Sequence, residues 1–117
     1  MAEFEEVLVD VAAFMADVSN FDTEEIGAYW LILCAMWRTR DVRLSLSDKD
    51  LCNITKLSRH KWQHFKPRLF ALPGWELDYS DPQNARFTHR KLEQTRFRAR
   101  KTREANAKNA RARWEPK

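Results

Sequence analysis

The chain is 117 residues long, which allows one compact domain and one core. At 44% hydrophobic and 12% aromatic, with five Trp and seven Phe, it is too apolar to be a disordered chain despite its charge content. The net charge is only +4, but residues 1–25 hold eight acids and no Lys or Arg, which leaves +12 on the rest and points to a polyanionic partner at one end.

Residues 1–20 form an acidic N-terminal arm. Val7 to Phe14 mixes apolar side chains with a single acid and is compatible with a short strand or a helix. Three roles are open: an arm that packs Phe4, Val7, Leu8, Val11 and Phe14 on the domain, a DNA mimic folded over the basic surface, or a self-association or helicase-contact surface. The packed arm is favoured because Val7, Leu8, Val11 and Phe14 recur at helical spacing. The first residues are acidic where a secretory signal would be basic. The longest apolar run, Ile26 to Trp37, is 12 residues against the roughly 20 needed to span a bilayer, so a cytoplasmic location without membrane contact is expected.

Asp22-Thr23-Glu24-Glu25 carries a helix start, with a side-chain cap and acids at the positive end of the dipole. The helix should run to about Trp37 and, being apolar nearly all round, should be central. A short extended piece, Val42 to Leu46, leads to Ser47-Asp48-Lys49-Asp50, which opens a helix through Leu51, Cys52, Ile54 and Leu57. Ser58 caps the next helix, whose Trp62, Phe65 and Leu69 form one buried stripe and in which Pro67 should produce a kink or a stop. The succession from Asp48 to about Phe70 has the length and pattern of a helix-turn-helix.

After the turn Leu72-Pro73-Gly74, the alternation of Trp75, Leu77 and Tyr79 predicts a half-buried strand, and Ala85, Phe87 and His89 predict a second one beyond Asp81-Pro82-Gln83-Asn84. Arg90 to Trp114 lacks Gly and Pro and reads as a helix without an apolar face. It holds ten bases against Glu93 and Glu104.

Leu8 to Asp17, Thr23 to Leu33 with Glu25-Ile26-Gly27-Ala28-Tyr29, Met36-Trp37-Arg38, Leu51 to Leu57, Ser58-Arg59-His60-Lys61-Trp62 and the closing Ala107 to Trp114 together resemble the YdaU-like family of phage and prophage proteins. The resemblance implies a winged-helix module associated with phage replication, in the cytoplasm of a bacterial host. The match is loose at Val11 to Asn20 and more acidic around Asp10 and Asp17.

The residues thus lead to an α+β, mostly helical chain: a winged helix-turn-helix with a two-stranded wing and a long basic C-terminal helix. Residues 1–20 are the arm, 21–95 the winged-helix domain and 96–117 the basic helix or tail. With Trp62, Phe65 and Leu69 inward, His60, Lys61, His64 and Arg68 face outward with Arg59 and Gln63 at the flanks. Cations suit phosphates and guanine, and Gln suits adenine, so this face is a candidate DNA-binding surface. Arg86, Arg90, Arg96, Arg98, Arg100, Lys101 and Arg103 extend it, and Trp114 is a candidate for base stacking.

Simpler readings compete. The outward face of that helix is also what any solvated face looks like. His60 and His64 have the spacing of metal ligands, but neither Cys-x-x-Cys nor His-Glu-x-x-His accompanies them, so surface histidines and no metal are expected. Cys34 and Cys52 read as small core hydrophobes in a reducing compartment. The acidic pairs Glu24/Glu25 and Asp48/Asp50 are explained by helix starts, so neither an enzyme nor a cofactor is expected. The expected function is non-catalytic DNA binding in the replication of a phage or mobile element. The alternative is a protein-interaction adaptor for a replicative helicase or phage partner, with the basic tail serving only solubility.

Overall fold

The computed structural model describes residues 9–114. The expectations for Phe4, Val7 and Leu8 lie outside the described residues. In chain order the elements are α1 (Val11–Asp17), α2 (Thr23–Arg38), β1 (Leu44–Ser45), α3 (Asp48–Thr55), α4 (Arg59–Phe70), β2 (Trp75–Asp78), a 3-10 turn (Pro82–Asn84), β3 (Arg86–His89) and α5 (Arg90–Trp114). Among the described residues this is an α+β fold of five α-helices and a three-stranded antiparallel sheet ordered β1-β3-β2. None of these helices is long and apolar enough to cross a membrane.

Local chemistry sets the helix starts. Asp22 accepts from the Glu25 amide at 2.8 Å while Glu25 Oε1 accepts from the Asp22 amide at 3.0 Å, a reciprocal cap that opens α2. Ser47 and Ser58 cap α3 and α4 through the Asp50 and Lys61 amides. Of the kink or stop expected at Pro67, the stop does not occur, since α4 continues to Phe70. Trp62, Phe65 and Leu69, each no more than 1% exposed, bury the helix on both sides of the proline and offset the one backbone bond it removes.

The core is one cluster in which Ile32 and Met36 of α2, Leu51 of α3, the α4 stripe and Phe87 of β3 are fully buried. α1 packs on α2 through Phe14, stacked on Tyr29 with ring centroids 5.6 Å apart, and through Tyr29 Oη, which donates to Asp17 Oδ2 at 3.2 Å. Val11, expected inside, is 68% exposed. A seven-residue helix shows one narrow side to α2, and Phe14 occupies it.

The sheet departs from the expected alternation. β3 is central and buried through Phe87, Thr88 and His89, with Thr88 Oγ1 donating to the Val42 carbonyl. β2 is an edge strand whose Leu77 is 43% exposed, and Tyr79 just beyond it is 64% exposed, so only Trp75 joins the core cluster from this segment. Gly74 is required at φ +100 because a Cβ there would meet the His89 ring at 2.7 Å.

α5 begins at Arg90, inside the span expected for the central domain, so core and tail meet within one helix. Leu92 packs against the core. Arg96, expected at the surface, is 2% exposed. Its guanidinium lies 4.3 Å from the Trp37 ring centroid and donates to the Trp37 carbonyl, in the last turn of α2, and to those of Thr39 (3.2 Å) and Arg40 (3.3 Å) just beyond it. A cation there also suits the negative end of the α2 dipole.

The first prediction concerns this tie. Arg96→Met should cost about 1.5–3 kcal/mol, the range for hydrogen bonds to charged groups. Ending the chain after residue 95 should lower the melting temperature, whereas ending it after residue 100 should leave it nearly unchanged. Thermal denaturation of the three variants checks this.

Candidate nucleic-acid interface

α3 and α4 are joined by a short connection in which Lys56 takes the left-handed conformation, φ 63 and ψ 16. Such a residue ends a helix as glycine usually does, and a lysine there carries strain. α4 leaves at once from its Ser58 cap. Its orientation is fixed by Trp62, whose fully buried indole Nε1 donates to Asp48 Oδ1 at 2.9 Å. Lys66 Nζ reaches the same oxygen at 2.9 Å and Gln63 Nε2 reaches Oδ2 at 3.2 Å. These hydrogen bonds, Trp62 first and Lys66 second, hold the Asp48 carboxyl down to about 2.

With that rotation set, Arg59, His60, Lys61, Gln63 and His64 are all exposed on the first turns of α4, the arrangement expected for them. Lys61 Nζ sits 2.9 Å from Glu24 Oε1. Both side chains are more than half exposed, so the pair is worth at most about 1 kcal/mol. Arg68 stands on the same flank as Lys61 and His64 but has partners of its own. Its guanidinium pairs with Glu25, which is 11% exposed at the side chain, donates to the Asn20 carbonyl and lies 5.5 Å from the Phe21 ring centroid. It ties α4 to the α1–α2 connection from a position about 40° round the helix from His64 and about 140° from Gln63.

The hairpin supplies less positive charge than expected. Arg86 pairs with Asp41 at 2.6 Å, Arg90 with Glu76 at 3.4 Å and Arg43 with Asp78 at 3.3 Å. The exposed tip, 79–84, holds Asp81 and no Lys or Arg. Between hairpin and α4 lies an open cleft of about 750 Å³, with Gln63, Lys66, Leu77, Tyr79 and Gln83 on its walls.

On α5, Arg98, Lys101 and Arg103 are exposed; Lys101 Nζ lies 4.8 Å from the Phe97 ring centroid, and Arg100 donates to the Arg40 carbonyl at 2.9 Å. Arg96 is the structural tie described above. The Trp114 side chain lies outside the described residues. Lys49 and Lys56, part of the basic excess of residues 38–68 but not of the expected site, are both exposed on α3 and the turn after it. Their place ahead of the Ser58 cap was the available signal, while the left-handed backbone at Lys56 had none.

His60 and His64 are exposed, and among the described residues no group of three His, Cys, Asp or Glu could hold a metal ion. Burial pushes the Cys34 thiol up. Comparison with protein-family models, with curated proteins and with solved structures finds no match to this chain.

Two predictions follow from this geometry. Asp48→Asn should cost about 1–3 kcal/mol at pH 7, because the buried indole N–H loses a charged acceptor. The Asp48 carboxyl is held below its ordinary 3.8, so its contribution is fully present above about pH 4 and lost as pH falls towards 2. Native and variant stabilities should therefore converge on acidification, as urea melts at pH 7 and pH 2.5 would show. Lys56→Gly should relieve the left-handed strain and stabilise the fold by about 1 kcal/mol while removing a cation beside the α4 face, a combination that melting and DNA binding measured together would reveal.

Proposed function

We propose that the chain is a non-catalytic DNA-binding module of the winged helix-turn-helix type, with α3 and α4 as the helix pair and the β2–β3 hairpin as the wing. The observation that carries this reading is the exposed group Arg59, His60, Lys61, Gln63 and His64 on a helix whose other side is fully buried. A helix of that kind offers cations to phosphates, and Gln63, one of whose amide protons goes to Asp48, would meet a base edge through its carbonyl oxygen and second proton. The order α2, β1, α3, α4, β2, β3 with an antiparallel sheet supports it. The hairpin tip, acidic and without Lys or Arg, would contribute through Tyr79, Gln83 and Asn84 rather than through charge. A role in the replication of a phage or mobile element rests on the resemblance to the YdaU-like proteins.

One observation favours a second reading, an adaptor for a helicase or other replication protein. Val11 and Met15 of α1 are 68% and 61% exposed, and Trp30 and Leu31 of α2 are 38% exposed, a set of apolar groups of the kind that mediates protein contacts.

Fluorescence anisotropy with duplex DNA at several salt concentrations tests the first reading. Affinity should fall with a slope of about −0.9 per phosphate contacted. Replacing Arg59, Lys61 and His64 together by Ala should reduce that slope by about 1 to 2 with little change in melting, whereas Trp62→Ala should cost about 3–5 kcal/mol and unfold the domain. No binding at low salt to either duplex or single strands would sink the DNA reading and promote the adaptor.

A further inference from the structure

Residues 101–112 of α5 are exposed on every side. A helix that docks on protein needs an apolar stripe, and this one has only alanines to offer. From Arg98 to Arg113 the chain instead carries seven bases and one acid, Glu104. The complement of such a surface is a polyanion.

The charge is not uniform around the axis. At about 100° per residue, Thr102, Asn106 and Asn109 fall within roughly 60° of one another and form a straight stripe. Ala99 and Ala110 lie along one side of it, with Arg98 and Arg103 further out on either side. Glu104 is about 170° away from the stripe, so the half that contains the amides has no carboxylate. Asn amides flanked by small side chains and arginines are base-reading chemistry. An Asn pairs with adenine N6 and N7, the methyl groups of Thr and Ala suit the thymine methyl, and cations at the flanks meet phosphates on the groove walls.

Dimensions select the form of nucleic acid. A helix about 10–12 Å across fits the major groove of B-DNA, about 12 Å wide, whereas the A-form major groove is too narrow to be read. Single strands are held by aromatic platforms, and between Phe97, which is exposed, and Trp114, residues 98–112 offer no aromatic residue for a continuous one.

We infer that the distal half of α5 is a second DNA-reading helix, which lies in the major groove of duplex DNA with Thr102, Asn106 and Asn109 toward adenine-thymine base edges. This rests on the DNA-binding reading above and adds to it a strand form, a base preference and a second contact element. α5 is anchored for the task by Arg96 in the core and by Arg100 on the Arg40 carbonyl, so the reading half leaves the domain in a fixed direction.

The test uses the full chain and four probes in anisotropy titrations: a short A·T-rich DNA duplex, the same duplex with 7-deazaadenine for adenine, its single strand, and the RNA duplex of that sequence. 7-Deazaadenine removes the N7 acceptor from the major groove and leaves the minor groove unchanged. The native chain should bind the ordinary duplex about fivefold or more tightly than the deaza duplex, and both more tightly than the single strand or the RNA. Asn106→Ala with Asn109→Ala, which favours the helix, should abolish the deaza effect and leave the salt slope unchanged. Arg98→Ala with Lys101→Ala should weaken both DNA duplexes alike and lower the slope by about 1 to 2.

An absent deaza effect, a deaza effect that survives the double Asn variant, or equal binding to the single strand or the RNA would overturn the inference. If any of these occurs while the α4 triple variant still weakens duplex binding, the inference about α5 falls and the DNA reading stands. If no probe binds, both fall.

Discussion

The candidate surface depends on one buried hydrogen bond. Trp62 is fully buried, so its indole N–H must find an acceptor, and Asp48 at the start of α3 provides it at 2.9 Å. A bond between those two points fixes both the approach of α3 to α4 and the rotation of α4 about its axis. Phe65 and Leu69 then follow Trp62 inward, and Arg59, His60 and His64 are left outward. The Asp48 charge is retained because three donors converge on it. The helix carrying the cations is thus aimed by a contact on its opposite side.

A second constraint acts at the other end of the molecule. α2 ends at Arg38, and the Arg96 guanidinium donates to the Trp37 carbonyl in its last turn and to the Thr39 and Arg40 carbonyls after it, while its face lies against Trp37. The same contact sets the direction in which α5 leaves the core. Two arginines of opposite fate therefore sit two residues apart: Arg96 is internal and Arg98 is exposed. Arg68 repeats the pattern on α4, where its neighbours face solvent and it ties Glu25 to the Asn20 carbonyl.

Much of the helical architecture was legible because its determinants are local. The Asp22, Ser47 and Ser58 caps lie within a few residues of the amides they satisfy, and the Trp62, Phe65, Leu69 spacing needs only helix geometry to define an inward stripe. The exposed group at the start of α4 was readable for the same reason. Arg96 was not, since it stands in a run of basic residues and its carbonyl partners lie more than fifty positions earlier. The ion-pair partners of Arg68, Arg86 and Arg90 were not legible either, because distant acids meet them only once the chain has folded. The exposure of Leu77 follows from β2 being an edge strand, which an alternating pattern cannot distinguish from a central one. The local rule at Pro67 allows a kink or a stop, and the burial of α4 on both sides of it favours continuation over the stop.

We propose that the exposed side of α4, together with the exposed part of α5, meets DNA. Amide chemical-shift mapping of the full chain titrated with a short duplex tests it most directly. Perturbations should concentrate at Lys56, Arg59, His60 and His64 and along residues 98–112, with α1 and the apolar side chains Trp30 and Leu31 unaffected. Perturbations confined to α1 and α2, or none at all at low salt, would contradict it.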